Sequence, residues 1–458
     1  MKRRKAKGKV KPIELEVIRR DVAGVDLGSR EHYVCAPAGD GQGREVERFG
    51  ATTAELYRLV AWLKARGVRS VAMESTGVYW IPVYEVLESQ ELEVVLVNTR
   101  ALKSVPGRKT DVLDCQWIQL LHSCGLLKGA FRPGDEVCAL RALIRERSTL
   151  TQSSADWIRR MQKCLDQMNI RVHHAVADIT GVTGMAIVRA IVAGERDPMA
   201  LAGLRDRRCH KSVADIAAYL EGNWRSEHLF VLKQSLEVYD FLQERLAQFD
   251  LQILQTLHQL QRPQQAAPQG TSPVPEAKLR RMRKRGQEPM HEALCHMTGV
   301  DLTTIDGIGV ETVQIVASEI GPDLSAFSTE KHFVSYLKLA PKLAISGGKP
   351  VASKKRLSTS TRVGAALRMA ATTLRYSKTA LGAEFRRLAR IKGAGVAVFA
   401  MARKLAILIY RLLKFGQAYV DQGIQAYEER FRQRRLAACH AMAKSLGLHI
   451  LSPETATP

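Results

Sequence analysis

The chain lacks a run of 18 apolar residues, and its basic start leads directly into mixed polar sequence. A helix needs about 20 apolar residues to cross a bilayer, so the first absence argues against a membrane-spanning protein. The mixed polar sequence after the basic start argues against a secretory signal, which has a long apolar centre. We therefore expect a cytoplasmic, nucleoid-associated protein with no membrane partner.

Cysteine pairs with the spacing of a metal site are also missing. The chain has 8 cysteines, and none belongs to a Cys-x-x-Cys pair. Cys209-His210 and Cys295-His296 are isolated neighbours without the second half of a zinc site. We therefore expect free thiols in a reducing compartment.

Acidic residues are in the minority. Lys and Arg number 69 against 46 Asp and Glu, which gives a net charge of +23. So large an excess favours a polyanionic partner, and nucleic acid is the first candidate.

A length of 458 residues with 46% hydrophobic and 25% charged residues is typical of a globular protein with two or three domains.

The hydrophobic pattern divides the chain into segments of different character. The predicted order is a basic disordered tail at 1–19, an α/β domain at 20–130, long helices at 135–260, a linker at 261–288, a mostly helical domain at 290–425 and a tail at 426–458. Two long amphipathic helices in the middle segment suit either a coiled-coil stalk that forms dimers or a hairpin within one chain.

Residues 20–130 have the element order β-β-β-α-β-α-β-α, which is that of a ribonuclease H-like fold. The pattern predicts strands at 22–28, 31–37, 44–49, 68–74 and 92–97, and helices at 53–66, 79–90 and 111–124.

Four acidic residues of this segment are the first candidate site. Asp26 lies in an apolar strand and Glu74 ends another, while Asp111 and Asp114 are three residues apart where a helix begins. Either residue on the helix also suits a capping role. A lone Asp between Val and Leu is costly to bury unless it is paired or binds a metal. Converging carboxylates favour Mg²⁺, which takes oxygen ligands and assists phosphoryl transfer.

Two further stretches suggest contact with nucleic acid. Thr304-Ile-Asp-Gly-Ile-Gly309 resembles a helix-hairpin-helix, in which the amides around Gly307 and Gly309 bind a DNA phosphate; an ordinary glycine turn is the alternative. Ser346 precedes two glycines in an exposed turn, which is either an ordinary turn or the place of a nucleophile. Ser353, Ser358 and Ser360 are alternatives to Ser346 as the nucleophile. The basic residues around Ser346 are Lys349, Lys354, Lys355 and Arg356.

The order of these motifs resembles that of the IS110 family of transposases, including the IS1111 group. The matching pieces are Gly24-Val-Asp-Leu-Gly28, Met73-Glu-Ser-Thr-Gly77, Lys109-Thr-Asp-Val-Leu-Asp114, Ile305-Asp-Gly-Ile-Gly309 and Ser346-Gly347. One departure is Val363-Gly364, where the family often has Gly-Asn.

The resemblance implies a RuvC-like domain with a DEDD tetrad at Asp26, Glu74, Asp111 and Asp114, and a C-terminal domain whose serine, Ser346, joins covalently to DNA. It also implies Mg²⁺, an element-encoded structured RNA as guide, and a homodimer or homotetramer. The alternatives are a RuvC-like junction endonuclease that uses water, and a catalytically inactive nucleic-acid-binding protein.

Overall fold

The computed structural model describes residues 16–40, 43–75, 77–97, 111–260, 274–341, 344–346, 349–351, 361–416 and 423–448. For Asp111 and for residues 344–346 and 349–351 it describes the backbone alone. The chain forms two compact units, Met1–Arg132 and Pro133–Pro458. Within the described part, no helix is long and apolar enough to cross a membrane.

The first unit is built on one mixed sheet with strand order β3-β2-β1-β4-β5. β1 pairs antiparallel with β2 and parallel with β4, and β4 pairs parallel with β5. The strands are β1 (Val22–Leu27), β2 (Glu31–Pro37), β3 (Arg44–Gly50), β4 (Ser70–Glu74) and β5 (Glu93–Val97), and the helices are α1 (Thr53–Ala65), α2 (Trp80–Ser89) and α3 (Asp111–Ser123). The described elements follow the order predicted from the sequence, and this mixed sheet fits a RuvC-like fold.

The two faces of the sheet carry different side chains because residues alternate along a strand. Val25, Val34, Val71 and Met73 face a core that includes Leu59 and Leu63 of α1 and Leu87 of α2. On the other face, Ala72 and Val97 pack with Ile118 of α3. The first face is an ordinary hydrophobic core, whereas the second is covered by α3, the one helix that contributes to this cluster among the described residues.

The predicted disordered tail at 1–19 is wrong for its last residues. The backbone amides of Ile18 and Arg19 both donate to the Ser123 carbonyl oxygen, at 2.8 and 2.9 Å. Arg19 also pairs with Glu93 at 2.8 Å. These bonds anchor the chain before β1, while residues 1–15 lie outside the described part.

The second unit begins with two long helices, α4 (Asp135–Gln167) and α9 (Ser226–Gln259). Arg147 pairs with Asp250, and Gln243 donates to Ser154, so the two helices run antiparallel within one chain. Of the two expectations for this segment, the structure contains the hairpin. Four short helices lie between them: α5 (Val172–Ala175), α6 (Val182–Ala193), α7 (Pro198–Gly203) and α8 (Val213–Ala218).

The remainder of the second unit is mostly helical. Its helices are α10 (Glu276–Lys284), α11 (Glu288–Thr298), a 3₁₀ turn (Leu302–Thr304), α12 (Val310–Glu319), α13 (Glu330–Tyr336), α14 (Arg362–Thr373), a 3₁₀ turn (Leu374–Tyr376), α15 (Ala380–Lys392), α16 (Ala394–Phe415) and α17 (Gly423–Ser445). A two-stranded hairpin of β6 (Ala344–Ser346) and β7 (Lys349–Val351) lies between α13 and α14.

The predicted linker at 261–288 is corrected in its second half. Residues 276–284 form α10, in which Met282 is buried and the Lys278 ammonium donates to the carbonyl oxygens of Thr303 and Ile308. A basic segment folds here because one face of the helix packs, while the exposed cations Arg280, Arg281, Arg283 and Lys284 stay in solvent. Residues 261–273 lie outside the described part.

Candidate active site

Asp26 and Glu74 lie at the carboxyl ends of two neighbouring parallel strands, Asp26 as the last residue but one of β1 and Glu74 as the last of β4. Val25 lies beside Met73 in the pairing of β1 with β4, so the next residues along, Asp26 and Glu74, lie side by side. Adjacent strands are about 4.8 Å apart, and residues at one level share a face. Both side chains are half-buried. The fold therefore presents two carboxylates together at the carboxyl end of the parallel strands.

α3 crosses the same face at close range. A Cβ on Gly24 would lie 2.3 Å from the Gln119 amide nitrogen and 2.5 Å from the Cys115 carbonyl oxygen. The Gln119 side-chain amide donates to the Val22 carbonyl oxygen at 3.2 Å. Asp26 is two residues beyond Gly24 and shares its face, so α3 and Asp26 lie on the same side of the sheet.

Asp114 lies on α3 directly before Cys115. The pKa of the Cys115 thiol is raised to about 12, mainly by burial and to a smaller extent by nearby Cys35 and by the charge of Asp26. The Cys115 carbonyl oxygen faces Gly24, which is two residues before Asp26 on β1, so Asp26 lies near the turn of α3 that carries Asp114. The structure thus brings Asp26, Glu74 and Asp114 to one end of the sheet, and the backbone of Asp111 begins the same helix.

The donor set fits a hard divalent cation, because carboxylate oxygens are the ligands that such ions prefer. Among the described side chains, Asp26, Glu74 and Asp114 do not form a group whose ligand atoms all lie within 4.8 Å of one another. Carboxylates around two ions about 4 Å apart do not need to converge that closely. Like charges also separate unless a cation lies between them.

Tyr33 is a neighbour of the site that the sequence analysis missed. It lies opposite Asp26 in the pairing of β1 with β2 and is half-buried. Alternation along β2 puts Tyr33 and Cys35 on the face covered by α3. The sequence contained the information needed to find Tyr33, because the predicted hairpin of 22–28 and 31–37 places Tyr33 opposite Asp26.

Ser346 belongs to the second unit. It pairs with Lys349 across β6 and β7, so these two residues flank a two-residue connection. Positions 347 and 348 are both glycine in the sequence and lie outside the described part of the chain. The remaining predicted basic residues, Lys354, Lys355 and Arg356, lie outside the described part of the chain.

The glycine turn before α12 has a clear structural basis at Gly307. Its φ is +83°, and a Cβ there would lie 3.1 Å from the Ala370 carbonyl oxygen. Asp306 accepts hydrogen bonds from Ser377 and Thr379, which fixes the turn to the start of α15. Gly309 differs, since it caps α12 at φ −103° and a Cβ would meet only Glu311, at 3.7 Å. Contact with DNA stays a prediction for both glycines.

Two family profiles match the chain. The profile of the DEDD transposases of the IS110 type, described as a transposase, matches residues 23–170. That of the transposase IS116/IS110/IS902 family matches residues 300–387. No curated protein matches the chain at a significant level. The first profile covers the sheet and the helix that carry the acidic residues, and a DEDD domain of this kind points to a divalent metal. The chain therefore belongs to the IS110 family of transposases and is an enzyme that acts on DNA.

Proposed function

We propose that this transposase cuts and rejoins DNA by attack of a serine hydroxyl, with Ser346 as the nucleophile. Asp26, Glu74, Asp111 and Asp114 would hold Mg²⁺ in the DEDD domain. An element-encoded structured RNA would select the DNA, and the working form would be a homodimer or homotetramer. The observation that carries the proposal is the side-by-side placement of Asp26 and Glu74 beneath the helix that bears Asp114.

Ser346 would be the covalent partner of DNA. Its Oγ forms a bond to the scissile phosphorus as the bond from phosphorus to the departing sugar oxygen breaks. The serine loses its proton and the departing oxygen gains one, so the products are a phosphoserine ester and a free hydroxyl. The ester keeps the energy of the phosphodiester, and the reverse reaction joins a new strand without ATP. The sequence has no G-x-x-x-x-G-K-[ST] loop, which agrees with this.

The acidic side chains supply the second part of the chemistry. When bound, Mg²⁺ stabilises negative charge on the phosphate and assists the attack. Asp26 and Glu74 are held by paired strands and Asp114 by a packed helix, so little rearrangement is needed to present their oxygens. A rigid arrangement of this kind favours catalysis because the groups are already oriented.

A covalent adduct is the decisive test. Purified protein, Mg²⁺ and RNA from the non-coding flank of the element would be mixed with a labelled duplex spanning its junction. A denaturing gel should show DNA attached to protein. Ser346→Ala should abolish the adduct, while Ser353→Ala, a nearby hydroxyl control, should keep it. Asp26→Asn should also abolish it, and Asp40→Asn, in the exposed β2–β3 turn, should not.

Each part of the proposal has its own contrary outcome. Cleaved ends without an adduct, unchanged in Ser346→Ala, would establish a nuclease that uses water. An adduct that moves to Ser353, Ser358 or Ser360 would reassign the nucleophile. A full yield of adduct without any RNA would overturn the guide while leaving the serine chemistry in place.

A further inference from the structure

Three side chains of different chemistry converge between α11 and the 3₁₀ turn that follows it. His291 and Cys295 lie one turn apart on α11, and Asp301 directly precedes the 3₁₀ turn. One ligand atom from each lies within 4.8 Å of the other two. Within the part of the chain that the structure describes, no other group of three or more His, Cys, Asp or Glu side chains meets this condition.

We propose that His291, Cys295 and Asp301 form a binding site for a thiophilic divalent cation, Zn²⁺ in the first place. The His291 Nε2 atom is 3.1 Å from Asp301 Oδ1 and 3.6 Å from Cys295 Sγ. Tetrahedral zinc with Zn–N and Zn–O near 2.0 Å and Zn–S near 2.3 Å separates N from O by roughly 3.3 Å and N from S by roughly 3.5 Å. The observed spacing needs little adjustment to admit the ion.

Thiolate, imidazole and carboxylate together select the type of cation. Mg²⁺ avoids sulfur, whereas Zn²⁺ accepts sulfur, nitrogen and oxygen in one site. Three protein ligands leave a fourth position for water. The side chains of His291 and Asp301 are 20% and 26% exposed, so solvent reaches the site. On binding, the ion replaces the thiol proton of Cys295, which passes to solvent.

The carboxylate is already oriented by neighbouring groups. The Thr303 amide and hydroxyl donate to Asp301 Oδ1 at 2.8 and 2.6 Å. Hydrogen bonds of this kind position metal ligands in proteins. Glu292 adds negative charge near Cys295, while the Lys278 ammonium near Asp301 opposes a cation. The negative charge that balances the ion would come from its own ligands, the Asp301 carboxylate and the Cys295 thiolate.

The site would fix the connection between α11 and α12. Asp301 begins the segment that leads through Asp306 and Gly307 into α12, so an ion shared with α11 ties this segment to the preceding helix. The inference does not depend on the recombination chemistry. The site is hard to recognise in the sequence because its ligands are spaced four and six residues apart and Cys295 has no Cys-x-x-Cys partner.

Metal content and cobalt spectra test the site on the full chain. Wild-type protein, purified without a metal-affinity tag, should contain about one zinc per chain. After removal by a chelator, Co²⁺ should produce the charge-transfer absorption of a thiolate–cobalt bond. Cys295→Ser should abolish that band, and Asp301→Asn should weaken cobalt binding at least tenfold. Cys439→Ser removes the exposed thiol of α17 and should leave both signals unchanged.

Wild-type protein also provides a test that is free of folding defects. Its melting temperature should rise with added Zn²⁺ after chelation, since a ligand that binds only the folded state stabilises it. Wild-type protein with no stoichiometric zinc and no thiolate–cobalt band would overturn the proposal and leave a hydrogen-bonded His291–Asp301–Thr303 network. A band that persists in folded Cys295→Ser would overturn it equally. Asp26→Asn should keep its zinc, so the two metal sites are distinguished.

Discussion

At the scale of single residues, the contact of α3 with β1 depends on the absence of a side chain at position 24. Real Cβ atoms essentially never come within 3.0 Å of another heavy atom, yet one at Gly24 would meet two backbone atoms of α3 at 2.3 and 2.5 Å. The helix that carries Asp114 lies against the strand that carries Asp26 only because this residue is glycine. Gly24 therefore sets the spacing of the acidic side chains.

Gly24→Ala is expected to move α3 away from the sheet. The overpacking should cost about 1–3 kcal/mol of stability. A displacement of about 1 Å at the acidic residues should lower the rate of DNA cleavage on the order of a hundredfold. The measurements are thermal melting and adduct formation. Gly39→Ala is the control, because a Cβ there meets nothing within 4 Å. Full activity in folded Gly24→Ala would show that catalysis tolerates a different spacing.

The sequence predicted the acidic residues as a candidate site, but it did not predict the role of Gly24, which sets how closely α3 packs on β1. Asp26 is conspicuous because a charged residue interrupts an apolar strand, and Glu74 lies at the end of another. Gly24 gives a weaker signal, since a glycine in a strand indicates a close backbone approach without naming the partner. The partner, the backbone of residues 115–119, is 91 or more residues away in sequence, and only the folded structure brings it there.

At the scale of elements, the hydrophobic period predicted the sheet domain and the two long helices because each is a strong local pattern. It did not predict α10. Five cations in Lys278-Leu-Arg-Arg-Met-Arg-Lys284 obscure the buried Met282, and the helix is fixed by distant groups such as the Thr303 carbonyl. Charged elements of this kind take their place from tertiary contacts that a local pattern does not contain.

The turn before α12 allows its structural and DNA-binding roles to be separated. Gly307→Ala should destabilise the second unit by about 1–2 kcal/mol, because alanine is strained at positive φ. Gly309→Ala should cost about 0.5–1 kcal/mol, because its backbone angle suits alanine but alanine is a poorer N-cap residue than glycine. If the amides at the start of α12 bind a phosphate, the added methyl group at 309 should weaken DNA binding up to about tenfold, the loss of one charge-assisted hydrogen bond.

Melting curves and DNA titrations of the two glycine variants decide between the roles. Folded Gly309→Ala with unchanged affinity for DNA would make this segment an ordinary turn between core helices. A stable Gly307→Ala protein would contradict the strain inferred from its backbone angle and from its contact with Ala370.

At the scale of the whole molecule, the net charge of +23 makes binding to nucleic acid depend on salt concentration. Each phosphate that a cation neutralises releases a counterion from DNA, so binding weakens as salt rises. The Arg and Lys side chains of α10 are not equally available to bind phosphate. On α10, Arg280 and Arg283 pair with Glu276 and Glu288 at 3.4 and 3.2 Å. Arg281 and Lys284 are exposed on the same helix.

We therefore predict that Arg281→Gln and Lys284→Gln each reduce the slope of log affinity against log salt by about one, the value for a single lost phosphate contact. The measurement is titration of a labelled DNA duplex at several salt concentrations, followed by fluorescence anisotropy. Lys64→Gln is the matched control, because it removes an exposed cation from α1, which packs on the sheet face opposite α3. If the slope of log affinity against log salt falls equally in all three variants, the basic residues attract DNA through their total charge and not through contacts at particular positions. If only the α10 variants do, this helix lies against the phosphate backbone, and the segment predicted to be a linker is part of the DNA-binding surface.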